Sequence, residues 1–585
     1  MRSKPTLIYR IMAWIGMAVI AVIFISLLVW LFQALSEDVP SNTIVELNLD
    51  QSVMETVPGD PVGRALTGEG IDIKTIVDGL EQAKHDDRVS GLLVRVSGNT
   101  MNIGQAEEIR EAVTSFRESG KPAYLYSETF GQVENATYSY YLATAFDRIF
   151  MQPGGDVNLV GLRSEQFFLG DFFRKHGIEV DYDHRYEYKS AKDMLTESEF
   201  TEPFREANEA IINSQYAHLT EAIAEGRKID TDQARKVVDE GPWYGHLTLD
   251  HGLVDSLIYR DEIFALMRDE LGDDAEFLYL ENYYGEAGSY WDNGAKVALI
   301  QGEGAIVGGE SRYDPIMMQP VMGSETLARA FRSAVEDEVD AIIFRIESPG
   351  GAPWASEAVR REIHQAREQG IPVIATMGNV AGSGGYYLAM GANKIVAQPS
   401  TITASIGVVH GKFVTSELLK DFGINPDHVS TSPSSDYFAA SEPYNEHQRE
   451  RQSDWLDYNY EQFVERVADD RGMSFDEVHE VGKGRIWTGS DARDLGLIDA
   501  LGGYHTALNL VREEAGIDPD TDIELKNYPP PPGFWDFITG EGPDRSEKLL
   551  IAETWRGVHQ QLVPVIQVAR VAGILEPYHL YEMPR

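Results

Sequence analysis

The sequence predicts an α/β fold built as two tandem copies of one unit. Three observations carry this. Short β-branched runs alternate with amphipathic helical stretches, the pattern of parallel strands joined by helical crossovers. An ordered series of segments then recurs along the chain: Leu92-Leu93-Val94-Arg95-Val96-Ser97 parallels Ile342-Ile343-Phe344-Arg345-Ile346-Glu347, and Tyr140-Tyr141-Leu142-Ala143 parallels Tyr386-Tyr387-Leu388-Ala389. Asp147-Arg148-Ile149-Phe150, Thr201-Glu202-Pro203, Trp243-Tyr244-Gly245 and Gly252-Leu253-Val254-Asp255 find their matches, in the same order, at Asn393-Lys394-Ile395-Val396, Ser441-Glu442-Pro443, Trp487-Thr488-Gly489 and Gly496-Leu497-Ile498-Asp499. Length alone, at 585 residues, suggests roughly four domains. The repeat replaces that with two large ones, residues 41–290 and 291–528.

The elements follow in order. Arg2, Lys4 and Arg10 precede a stretch without charge from Ile11 to Ser36, long enough for the ~20 apolar residues that cross a bilayer. Trp14 and Trp30 flank it, and Glu37 and Asp38 follow. Residues 1–36 therefore read as a cytoplasmic stub and a transmembrane anchor through residues 11–34, with the bulk of the chain on the far side of the membrane. Residues 44–49 and 297–300 open the two copies as strands. Residues 324–338 read as a helix and 341–346 as the next strand. Residues 355–369 form a helix stopped at Gly370-Ile371-Pro372, and 371–377 a further strand. Residues 197–229 and 445–471 are long polar-faced helices in matching places. Asp292-Asn293-Gly294 is a turn at the junction of the copies. The proline run 529–532 is stiff and sets off a tail, 529–585, with an amphipathic stretch at 546–571 that reads as a packing helix.

Composition narrows the function. With 50 basic and 94 acidic residues the net charge is −44. That lacks the basic footprint of a nucleic-acid binder and suits a surface exposed to a saline medium. There are no cysteines, hence no disulfide, thiol nucleophile or cysteine metal site. His, Asp and Glu show no ligand spacing and no phosphate-binding loop is present, so neither metal nor cofactor is expected.

Two glycine-rich segments carry the chemistry. Ser348-Pro349-Gly350-Gly351 follows a strand; proline fixes one dihedral and the glycines admit a ligand close to the backbone. Such a turn can aim N–H groups at a developing oxyanion. Ala381-Gly382-Ser383-Gly384-Gly385 then leads into an apolar helical stretch. A serine at that turn presents its hydroxyl, and its own and the following N–H point forward. The first copy carries Thr137 at this position and Tyr138 in place of the next glycine. Conversely, the first copy has Lys189, whereas the second has no lysine between Lys420 and Lys483. Each copy has kept one member of a pair.

These motifs, with Pro399-Ser400-Thr401-Ile402-Thr403-Ala404-Ser405-Ile406-Gly407 and Tyr186-Glu187-Tyr188-Lys189-Ser190-Ala191, resemble the long, duplicated form of the signal peptide peptidase A family, in the peptidase branch of the crotonase/Clp-protease-like superfamily. The resemblance covers roughly residues 1–525. It implies two tandem crotonase/ClpP-like domains and a Ser/Lys dyad of Ser383 and Lys189, with the Gly384 and Gly351 N–H groups as oxyanion hole and Gly350 the alternative to Gly351. A lysine acts as base only when neutral, so burial must lower its pKa from about 10.4. Tyr186 and Tyr188 would help enclose the amine and Ser190 could hydrogen-bond to it. The resemblance further implies a homotetramer on the periplasmic face of the bacterial inner membrane that degrades apolar signal peptides and unfolded polypeptide, with no cofactor. The rival base is His410 with Asp421 or Asp427, a Clp-like Ser-His-Asp site. A catalytically silent scaffold and a cytosolic acyl-CoA hydratase are the readings from other classes; retention of both Ser383 and Lys189 and the anchor disfavour them.

Overall fold

The structure is a computed structural model, described here for residues 39–56, 70–314, 319–518 and 521–529. The anchor at 11–34 and the tail beyond Pro529 lie outside these residues. Among the described residues no helix is long and apolar enough to cross a membrane.

Two parallel sheets repeat one strand order. The first is six-stranded and runs Ser256–Leu257, Arg148–Met151, Ala123–Ser127, Val89–Arg95, Thr43–Asn48, Glu276–Tyr279. The second runs Ala500–Leu501, Lys394–Ala397, Val373–Gly382, Ala341–Ser348, Ala295–Glu303, Ile523–Tyr528 in the same sense. Parallel strands are covered on both faces and read as continuous apolar runs; residues 341–346 are all buried. The helices fall where their periodicity places them, at Ser324–Glu336, Pro353–Glu368, Glu202–Arg227 and Glu446–Arg471. Asn445 caps the last of these through a reciprocal bond with Gln448. Matching anchors recur: Tyr140 donates its hydroxyl to the Leu253 carbonyl at 2.8 Å and Tyr386 to that of Leu497 at 2.9 Å. Asp255 and Asp499 accept the Ile149 and Ile395 N–H groups and pair with Arg227 and Arg471.

One strand departs from its expected length. Instead of ending at Met377, Val373–Gly382 continues to the glycine before Ser383 and carries Ile402–Ala404 on its far end, with Ile486–Thr488 antiparallel beyond. In the first copy the equivalent strand stops at Ser127. Its outer pair, Asp156–Val157 with Trp243–Tyr244, joins through the isolated Phe130–Val157 bridge.

The copies are not beads on a string. Val297, Leu299, Ile343 and Ile374 of the second sheet share one core cluster with residues of the first copy. The helix Ile103–Arg117 lies on the second copy: Glu108 accepts from Arg345 at 3.0 Å and from the Tyr504 N–H at 2.6 Å, and Glu107 from the Ser400 N–H at 3.1 Å. Gly104 sits against Asn379, where a Cβ would come within 2.9 Å of backbone. A second link decides function. Strand Glu179–His184 of the first copy pairs antiparallel with Val409–Val414 of the second, His184 opposite Val409. The chain leaving that pairing is Arg185 to Lys189.

Candidate active site

Ser383 sits between the end of a strand and the helix Gly384–Ala389. Its backbone is at φ 52°, ψ −114°, a conformation that costs a non-glycine residue about 1–3 kcal/mol and that persists only where the surroundings impose it. The Ser383 N–H donates to the Ala404 carbonyl at 2.7 Å, so this N–H, expected to point at substrate, is held inside the fold. The next one, of Gly384, opens the helix. A Cβ on Gly384 would lie 2.9 Å from the Gly351 nitrogen, which places the two backbone N–H groups side by side. Gly350 is at φ 109° and packs on Ser383, where a Cβ would come within 2.7 Å of the serine Cβ. Its N–H donates to Ser348 Oγ at 3.1 Å. Of the two glycines in the turn, Gly351 therefore has the N–H free to meet a ligand.

Lys189 reaches the serine from the other copy. Its Nζ lies 3.0 Å from Ser383 Oγ and donates to the Ser405 carbonyl at 2.9 Å and to Ser405 Oγ at 3.0 Å. The side chain is 5% exposed, no carboxylate among the described residues pairs with it, and desolvation brings the amine down to about 7 from 10.5. Two glycines make the enclosure. A Cβ on Gly484, at φ 85°, would overlap the Lys189 backbone, and one on Gly407 would come within 3.1 Å of Lys189 Cδ.

The tyrosines and Ser190 do not fill the expected roles. Tyr186 is 42% exposed and rests on Tyr460 and His479; the Tyr188 hydroxyl donates to Glu206. The hydroxyl at the amine belongs to Ser405, while Ser190 opens a short 3₁₀ turn and bonds through its N–H to the Tyr188 carbonyl. Ser405 escaped sequence reasoning because consecutive non-glycine residues at positive φ, Ala404 at 63° and Ser405 at 54°, have no compositional signature. The Ser-His-Asp alternative is not assembled. His410 packs on Trp455 with its Nδ1 unbonded, burial holds its pKa below the usual range, and Asp421 and Asp427 are exposed with no bond to it.

Ser383 and Lys189 open into a cleft of about 300 Å³. Trp354, Trp455, Tyr458 and Phe463 form an apolar wall. On the polar side Glu357 accepts from the Tyr387 hydroxyl at 2.6 Å and from Arg466 at 3.0 Å. A desolvated amine at a serine hydroxyl, beside the Gly384 and Gly351 backbone, can activate an oxygen nucleophile and receive an oxyanion.

Comparison with known proteins agrees with this chemistry. The model of peptidase family S49 matches residues 115–273 and 365–518, once in each copy. The chain is 30% identical to the chloroplastic serine protease SPPA of Arabidopsis thaliana over 86% of its own length and 75% of that protein. It is 31% identical to protease 4 of Salmonella typhi over 78% of its length and 75% of that protein, and 26% identical to protease 4 of Haemophilus influenzae over 88% and 85%.

Proposed function

Because this chain belongs to peptidase family S49 and is a serine endopeptidase of the long, duplicated signal peptide peptidase type, we propose that it cuts apolar, extended peptides with Ser383 as nucleophile and Lys189 as general base. The observation that carries this is the 3.0 Å contact between a buried, unpaired Lys189 amine and Ser383 Oγ. Neutral Lys189 takes the Ser383 hydroxyl proton as Oγ attacks the scissile carbonyl. The Gly384 and Gly351 N–H groups receive the oxyanion. The Lys189 ammonium then protonates the departing amine, and water, deprotonated by the same lysine, releases the acyl group and restores the serine.

Leftover signal peptides are the substrates that fit. They are apolar and extended, and the Trp354–Trp455–Tyr458 wall is suited to such side chains. The uncharged stretch 11–34 would hold the enzyme in the bacterial inner membrane with both copies in the periplasm, where cut signal peptides are left. A homotetramer enclosing the sites would spare folded proteins. No metal, cofactor or nucleic acid enters the reaction.

The test is cleavage of a fluorogenic signal-peptide substrate by the full chain in detergent, with S383A as blank. K189A is expected at the blank and H410A active. An active K189A beside a dead H410A would replace the dyad with a histidine site. Light scattering of the same preparation checks for the tetramer, and digestion of an unfolded against a folded protein checks the selectivity.

A further inference from the structure

Between Ile346 and Ser348 the pairing of the two central strands of the second copy breaks register. Ile346 stands opposite Met377, but Ser348 stands opposite Ala381. Glu347 alone therefore faces Gly378, Asn379 and Val380. Two N–H groups of this bulge turn to the Glu347 side chain: its Oε2 accepts from the Asn379 N–H at 2.6 Å and from the Val380 N–H at 3.2 Å. Gly378 leaves the space, since a Cβ there would overlap Oε2. Beyond the bulge the strands resume as Ser348 beside Ala381, and two residues further each chain delivers half of the site, the Gly350–Gly351 turn and Ser383.

From this geometry we propose that Glu347 is a positioning residue for catalysis, whose carboxyl sets the register that brings Ser383 and Gly384 against the Gly350–Gly351 turn. A slip of one residue would move the nucleophile by about 3.3 Å, whereas an oxyanion hole requires its donors within about 2.7–3.1 Å of the oxygen. The first copy supplies the contrast. Ser97 occupies the matching position with its hydroxyl unbonded, the strand beside it stops at Ser127, and no nucleophile follows. The surroundings of Glu347 favour an uncharged acceptor. Glu55 lies close by, Arg345 is already paired with Glu55 and Glu108, and burial together with the Glu55 charge pushes the Glu347 carboxyl up to about 8.

This proposal rests on Ser383 being the nucleophile, so S383A is assayed first; an S383A that still cleaves ends that reading independently of Glu347. The full chain is then compared with E347L, which keeps the size and removes the acceptor, and with E347Q, which keeps a neutral acceptor. E347L is expected to lose kcat by about 100-fold, the scale of an ångström-sized misplacement, with KM and melting temperature close to wild type. Labelling by a fluorophosphonate probe should slow in parallel. E347Q should recover most of kcat, which a merely space-filling role would not require. If E347L fails to fold, G378A tests the same link by displacing the carboxyl from the bulge, with the same loss of kcat expected. A folded E347L or G378A with wild-type kcat overturns the proposal, and so does a folded E347Q as slow as E347L.

Discussion

The two copies share a strand order and matching tyrosine, aspartate and arginine anchors, yet they differ where the second sets Ser383 against the Lys189 amine and the first has Thr137. The difference lies in a few residues of connection. In the second copy Val373–Gly382 runs unbroken into Ser383, which is forced to φ 52°. In the first, the chain leaves the sheet at Ser127 and takes a longer path to Thr137, whose hydroxyl donates to Asn135 Oδ1 at 2.6 Å and to the Gly161 carbonyl at 3.2 Å. Thr137 is thus a satisfied helix-start residue, 2% exposed, and its preceding residue Ala136 shows no strain. The scaffold is common to both copies; at this position the second copy adds a serine held at positive φ, whose hydroxyl meets the Lys189 amine, and a glycine after it. The first copy contributes a different departure, an arm that crosses to the second sheet and delivers Lys189. The contact between Lys189 and Ser383 therefore draws one residue from each copy.

The most direct way to break this comparison is to exchange the roles. S383A and K189A should each lose roughly 10⁴-fold or more in kcat/KM, because members of a catalytic unit fail together. T137A should cleave at the wild-type rate, and S383A combined with T137S should stay at the blank. Activity in that double variant, measured with the fluorogenic peptide, would mean that the first copy has kept a site of its own. A smaller loss is expected from G384A. Its new Cβ would stand 2.9 Å from both the Gly351 nitrogen and Ser356 Oγ, pushing Gly351 away from Gly384, and should lower kcat by about 10²–10³-fold if both N–H groups receive the oxyanion. The matching position in the first copy already carries Tyr138, and Y138A should leave kcat unchanged.

The pH profile sharpens the contrast further. Lys189 must be neutral to act, and its amine is held at about 7. From that value, kcat/KM should fall tenfold per pH unit below about pH 7 and level off above it. A limb centred near 10 would show that Lys189 is hydrated in solution and would remove the basis of the dyad.

Much of this was legible in the residues. Ser348-Pro349-Gly350-Gly351 and Gly382-Ser383-Gly384-Gly385 announce close backbone approach through glycine, and the missing lysine of the second copy points to Lys189 in the first. What stayed hidden depends on contacts made across the duplication or on conformations that composition does not encode. Ser405 holds the amine through two successive positive-φ residues. Gly407 and Gly484 close the lysine pocket although they are distant in sequence and in the opposite copy. Glu347 looks like an ordinary strand residue until its side chain is seen to accept two N–H groups of the bulged neighbour. The tyrosines next to Lys189 were the natural guess for its enclosure because they adjoin it in sequence, but the arm turns them outward.

The smallest expected effect concerns stability. Burial holds the Lys189 amine at about 7 in the folded chain, against 10.5 for a free lysine side chain. Between these values the unfolded chain binds a proton that the folded chain does not. The penalty on folding is therefore absent above the unfolded pKa, grows as the pH falls through this window, and is complete below about 7. Replacing the amine with an apolar chain of similar length removes the penalty. In an S383A background, which prevents self-digestion, K189M should raise the melting temperature by a few degrees at neutral pH, and the gain should shrink steadily towards pH 10. Lys192, three residues on and outside the pocket, should give no such gain when changed to methionine. A K189M gain that does not vary with pH would assign the effect to packing rather than to a buried charge; no gain at all would mean that the pocket holding the base exacts no cost from the fold. Either result would remove the thermodynamic trace that a buried base should leave on the arm of the first copy that carries it.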